Sequence, residues 1–279
     1  MKLSFTTLGC PQWGLERIVT KASEYGFDGV DFRGLEGEMD IFELQPFKTG
    51  YVETRSRFEA AGLALTCFSS SITLASVERA GRNWEELERY VELCDRFGTR
   101  YIRAFGGKLE GRDRSAGLAA SSGLLERAEP LLRQSGVKLI VETHDDWTRC
   151  EDVAALLEGT SPDTVGVLWD VHHPYRMFGE PPERTWNALG SRIAYTHWKD
   201  SLPQPDSPDA FTYRFMGEGD VPFQAIRSVL TAGGYDGWYT FEWEKRWHPD
   251  LAEPELAFPQ FVRYMRGLEA EENERKRAT

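Results

Sequence analysis

No stretch of this chain approaches the ~18 consecutive apolar residues of a membrane-spanning helix, which excludes a membrane partner of that kind. Cysteine is scarce: Cys10, Cys67, Cys94 and Cys150 form no C-x-x-C pair and no cluster. Such spacing excludes a disulfide framework and fits reduced thiols in a reducing compartment. The start, MKLSFTTLGCPQWG, lacks the sustained apolar middle of a secretory signal, so cytoplasmic residence is expected. Basic residues are also short, with 33 Lys and Arg against 45 Asp and Glu, a formal net charge of −12. An acidic surface repels phosphate backbones over roughly a Debye length, which argues against nucleic acid as a partner.

What is present is an ordinary globular composition, 41% hydrophobic and 28% charged. The 279 residues exceed the usual ~150 for one domain, but α/β barrels run to ~250 residues as a single domain. Short β-rich runs are expected at 3–8, 28–33, 63–69, 99–105, 137–143, 164–170, 192–198 and 237–243. They are near-continuous apolar runs, as in parallel strands covered on both faces. Helical periodicity falls between them, at 14–25, 52–61, 116–135, 149–159, 183–189, 222–233 and 255–268. One further helix is expected to start at Asn83, an N-cap with Glu86 three residues on, and to stop at Gly98. Eight strand-then-helix units predict a single-domain α/β (β/α)8 TIM barrel over 1–268. The polar tail at 269–279 is expected to fray. Residues 199–220, with Pro203, Pro205 and Pro208, are expected to form a long functional loop.

Catalytic groups in such barrels gather at the carboxyl ends of the strands. Four consecutive strand ends carry titratable residues: Glu142 with His144, Asp170 with His172 and His173, His197 with Lys199, and Glu242 with Glu244. Buried carboxylates converging with an imidazole need a cation, so Glu142, Asp170, His197 and Glu242 are the expected metal set. Trp13, Phe68, Phe105, Trp147, Trp198 and Trp243 lie at or near strand ends, where an aromatic face can stack on a sugar ring. Lys199 and Arg214 are candidates for binding substrate oxygens. Gly217-Glu218-Gly219-Asp220 places carboxylates where a barrel phosphate site would lie, which favours an unphosphorylated substrate.

The ordered set VETHDDW, LWDVHHP, THWKD, GEGDVPF and FEWEK, with RAFGG after the fourth strand, resembles the xylose-isomerase-like TIM barrel family of sugar isomerases and ketose 3-epimerases. The resemblance implies one divalent ion, Mn2+ foremost and Mg2+, Co2+ or Zn2+ otherwise, on Glu142, Asp170, His197 and Glu242. It also implies that Glu142 and Glu242 act as the acid/base pair and that His173 contacts a substrate oxygen, with His144 a further substrate group. Chelation of a carbonyl and a neighbouring hydroxyl would acidify the adjacent C–H, and returning the proton elsewhere gives epimerisation or isomerisation. The expected activity is thus a metal-dependent isomerase or epimerase on a small carbohydrate. A keto-sugar or keto-inositol dehydratase or lyase is the alternative, since it begins with the same proton abstraction. A non-catalytic sugar-binding barrel and an apurinic endonuclease are weaker competitors, the latter because strands three and four lack the extra histidines of a three-zinc cluster. A homo-oligomer stays open.

Overall fold

The computed structural model describes residues 1–204 and 207–278; the side chains of 207–209 and 275–278 lie outside the description. Pro205, the Pro208 side chain and Thr279 therefore fall outside it. Eight parallel strands close a barrel in the order β1, β10, β7, β6, β5, β4, β3, β2. They are β1 (Lys2–Thr6), β2 (Gly29–Phe32), β3 (Ala64–Thr73), β4 (Tyr101–Phe105), β5 (Lys138–Glu142), β6 (Val165–Asp170), β7 (Ile193–Trp198) and β10 (Trp238–Phe241). The expected (β/α)8 architecture is observed, each strand lying within about two residues of its predicted place except for a longer β3. Among the described residues, no helix is long and apolar enough to cross a membrane. All four cysteines are free and buried.

The helices that cover the barrel are α1 (Leu15–Tyr25), α2 (Gln45–Lys48), α3 (Tyr51–Ala60), α4 (Ala80–Phe97), α5 (Arg114–Ser135), α6 (Cys150–Leu156), α7 (His173–Phe178), α8 (Pro182–Leu189), α9 (Phe223–Ala232) and α10 (Pro254–Ala278). Gly26, Gly98 and Gly136 end α1, α4 and α5 in the left-handed conformation, where a side chain would be strained. Inside the barrel, Cys67, Ile140, Leu168 and Tyr195 form a small core of their own. The Tyr195 hydroxyl lies 2.6 Å from Thr66 Oγ1, and Ser4 Oγ lies 2.6 Å from Thr240 Oγ1, so the polar atoms of this floor are partnered. The much larger core lies between strands and helices.

Three expectations change. Asn83 is no cap: α4 begins at Ala80, and Asn83 is buried within it, donating from Nδ2 to the Thr73 carbonyl at 2.8 Å. Glu86 accepts from Ser71 N, so the pair clips α4 to the end of β3 in place of a capping box. The segment after β7 is no irregular loop but an antiparallel hairpin, β8 (Asp200–Gln204) and β9 (Ser207–Arg214), because alternating polar and aromatic residues pair Ser201 with Tyr213 and Pro203 with Phe211. The expected tail continues α10 to Ala278. Its first residues have partners: Glu269 takes the N-terminal ammonium at 2.6 Å and Glu272 pairs with Arg227 at 3.0 Å.

Candidate active site

Side chains alternate between the two faces of a strand, and residues one layer apart on neighbouring strands come together. Glu142 ends β5, Asp170 ends β6 opposite His197 on β7, and Glu242 directly follows β10. All four are buried, and their candidate ligand atoms lie within 4.8 Å of one another. His197 Nδ1 is 3.1 Å from Glu242 Oε1 and 3.8 Å from Glu142 Oε1. On the far edge of the ring, His197 Nε2 is 3.2 Å from Asp31 Oδ2, and Asp31 Oδ1 accepts from Ser69 Oγ at 2.8 Å. This carboxylate fixes the imidazole with Nδ1 turned toward the cluster.

Lys199 enters from the same face two residues after His197. Its ammonium lies 2.8 Å from Asp170 Oδ2 and 2.9 Å from Glu244 Oε1, and it donates to Glu242 Oε2. Burial would raise the Glu242 carboxyl, but Lys199 and His197 outweigh it and hold it well below the usual carboxylate range. Glu142 moves the other way, pushed up by burial and by the Glu242 charge. Burial would lower the His197 imidazole, yet Glu242, Asp31 and Glu142 hold it up to about 10. Close as these pairs are, both Glu142 oxygens, Asp170 Oδ2 and His197 Nδ1 make no aligned hydrogen bond. Carboxylate oxygens with one imidazole nitrogen form a donor set that suits a hard or borderline divalent ion, and these residues fit one.

Beside the four lies a cavity of about 320 Å3 lined by Ser71, Thr73, Phe105, His144 and Asp145 among others. His173 faces this side, with Nδ1 3.3 Å from Asp170 Oδ2 and its ring centre 4.7 Å from that of His144. His144 Nδ1 is 3.2 Å from Asp145 Oδ1. His172 turns away, held at Nε2 by Ser201 Oγ at 2.8 Å beneath the hairpin.

A family model described as a xylose isomerase-like TIM barrel matches residues 19–268. The chain belongs to that family. An inosose dehydratase of Geobacillus thermodenitrificans is 28% identical over 163 residues, 52% of this chain and 53% of that protein. The chain thus spans about half the length of that curated relative. Among solved structures, the zinc-bound IOLI protein superposes with a TM-score of 0.79 at 18% identity, covering 97% of this chain and 99% of that one. The 3-keto-D-glucoside 4-epimerase YcjR of E. coli superposes at 0.75 with 15% identity, covering 96% and 99%. Identities this low show the fold alone.

In this xylose isomerase-like barrel most of the aromatic residues expected at the rim are elsewhere. Phe68 is wholly buried between β3 and the helices, packed on Tyr90 and Phe97. Trp198 packs on Phe223 and Tyr239, and Trp13 packs on Phe258 and under Arg17. Trp147 and Trp243 are likewise core residues. Alternation explains two of them: Trp198 and Trp243 each follow an inward ligand-type residue and must point outward. Phe105 shares the face of Arg103 and does line the cavity. Arg214 is not among the four; with Tyr213, Trp247 and His248 it lines a separate cavity of about 850 Å3 under the hairpin. Three charged neighbours escaped sequence reasoning: Asp31, Arg33 and Arg103. Arg103 Nε lies 3.4 Å from Glu142 Oε2. Its place in RAFGG, two residues before Phe105, was the available signal.

Proposed function

We propose that the protein is a divalent-metal-dependent dehydratase of a small keto-sugar or keto-polyol. The observation that carries this reading is the wholly buried cluster of Glu142, Asp170, His197 and Glu242. The curated name of the inosose dehydratase relative favours elimination of water over epimerisation, which the same cluster would serve. Glu142, Asp170, His197 and Glu242 would hold the ion, and the zinc in the IOLI structure is consistent with a divalent one. A bound divalent ion supplies Lewis acidity toward a ketone oxygen and so acidifies the neighbouring C–H.

The chain's own groups would do the rest. Glu142 at the end of β5 and Glu242 just after β10 would serve as the proton-transfer pair. One takes the proton from the carbon beside the ketone. The C–O bond at the next carbon then breaks, the departing hydroxide gains a proton and leaves as water, and an unsaturated ketone remains. His173 and His144 would orient substrate oxygens, Phe105 would wall one side, and Lys199 balances the carboxylates.

Incubating the metal-loaded protein with an inosose and ketose panel in D2O tests this. We expect growth of conjugated-enone absorbance that chelator abolishes and that Glu242→Gln lowers by roughly 100-fold or more. Deuterium in a recovered epimer with no enone would replace dehydration by epimerisation. Activity indifferent to chelator would refute the metal-dependent reading.

A further inference from the structure

Near Glu142, guanidinium and hydroxyl groups at the ends of β2, β3 and β4 are buried without an aligned hydrogen bond, although Arg103 Nε lies 3.4 Å from Glu142 Oε2. Arg33 follows β2 and Arg103 lies within β4; they are 9% and 1% exposed. Arg33 Nη2 donates to Ser71 Oγ at 3.0 Å, but its Nη1 has no hydrogen-bond partner among the described residues. Arg103 Nε and Nη1 and the Thr73 hydroxyl are also without one. Arg103 stacks on Phe105, its guanidinium carbon 3.7 Å from the ring centre, and Phe105, Ser71 and Thr73 line the 320 Å3 cavity. Burial, followed by the neighbouring Arg103 charge, pushes the Arg33 guanidinium down to about 10. Two guanidiniums held together in a water-poor corner with unused N–H groups are costly unless a ligand completes them.

We propose that Arg33 and Arg103, with Thr73, bind a carboxylate of the substrate, so that the keto-polyol is a polyhydroxy acid. This rests on the function proposed above and narrows its substrate class. A carboxylate offers two oxygens and about four lone pairs, which suits two guanidinium edges and a hydroxyl. A phosphate dianion would meet Glu142 beside Arg103, Asp145 on the cavity wall and Glu86 beside Ser71. The cavity lining itself sets Arg79 and Lys108 against Glu110 and Asp145, so a preference for an anion falls to the two guanidiniums beside it.

Calorimetric titration of the full chain with matched pairs decides the matter: glucuronate against glucose, gluconate against sorbitol, and glucose 6-phosphate as the dianion. We expect each carboxylate to bind roughly tenfold or more tighter than its neutral partner, with the preference weakening in salt. Arg33→Gln should erase the preference, and Arg33→Lys should restore part of it, since charge survives but the planar fork does not. Equal binding within both pairs, or no carboxylate binding, overturns the proposal, as does tighter binding of the phosphate. Enone formation across the inosose and ketose panel separates the two layers. Enone formation without a carboxylate preference would sink the carboxylate corner and leave the dehydratase reading standing. A carboxylate preference with no enone from any compound would do the reverse.

Discussion

Asp31 belongs to no ligand motif, yet its carboxylate determines how His197 presents itself. With Oδ2 3.2 Å from Nε2 and Oδ1 taken by Ser69, it holds the ring so that Nδ1 meets Glu242 and Glu142. Such partners typically contribute 10–100-fold to metal affinity. Asp31→Asn is therefore expected to weaken binding of Mn2+ or Zn2+ by roughly that factor while the chain stays folded, as read by competition with a chromophoric chelator. Unchanged affinity in the folded variant would show that the imidazole needs no such anchor. Local sequence could not reveal this role, because Asp31 and His197 are 166 positions apart and meet only when the barrel closes.

At the scale of elements, the hairpin β8–β9 is the part that departs most from the eightfold repeat. Its root is a carboxylate: Asp200 accepts from the N–H groups of Ser201 at 2.9 Å, Gly217 at 2.9 Å, Gly219 at 2.8 Å and Val221 at 3.4 Å. Arg176 ties the same root together by donating to Ser201 and to Asp220. A Cβ at Gly219 would collide with Asp200 Oδ1 and the Ser201 carbonyl, so the GEGD motif serves as a clasp and not as a phosphate cradle. Gly219→Ala should cost about 1–3 kcal/mol in denaturant unfolding, as overpacking does. Gly123→Ala, on α5 with nothing within 4 Å, should instead gain about 0.5–1 kcal/mol. A neutral Gly219→Ala would mean that the root relaxes freely and that Asp200 is no clasp.

The whole molecule couples the carboxylate cluster to stability. An ion that binds only the folded barrel adds about 2.7 kcal/mol when its free concentration is a hundredfold above its dissociation constant. Stripping the metal should lower the melting temperature by several degrees, and the gap should widen with pH. Without metal, His197 is held protonated up to about 10, above its unfolded value, so its contribution to the metal-free fold is complete below about pH 6.5 and fades as pH rises toward 10. Metal must displace that proton, so the bound form gains over the same range. Melting curves with and without chelator at pH 6 and pH 9 check this. A gap that shrinks at pH 9 would contradict the assignment of His197 as a ligand.

The amino-acid sequence by itself determined the barrel and the four residues at its centre. Apolar runs spaced by helical periodicity leave few ways to bury both faces, and the carboxyl ends of β5, β6, β7 and β10 carry their ligand types in plain order. Strand alternation even assigns Trp198 and Trp243 to the outer core once His197 and Glu242 are taken as inward. Tertiary structure alone decided the surroundings. Asp31 in β2 and Arg33 just after it carry no local mark that separates them from ordinary surface charge, and only RAFGG hinted at Arg103. Lys199 became the counter-ion of three carboxylates only through closure. The polar segment after β7 is clasped at its root because Asp200 found three backbone donors, at Gly217, Gly219 and Val221, on its own returning chain. Patterning is a property of neighbours along the chain, whereas charge pairing and backbone capture depend on distances that exist only after folding.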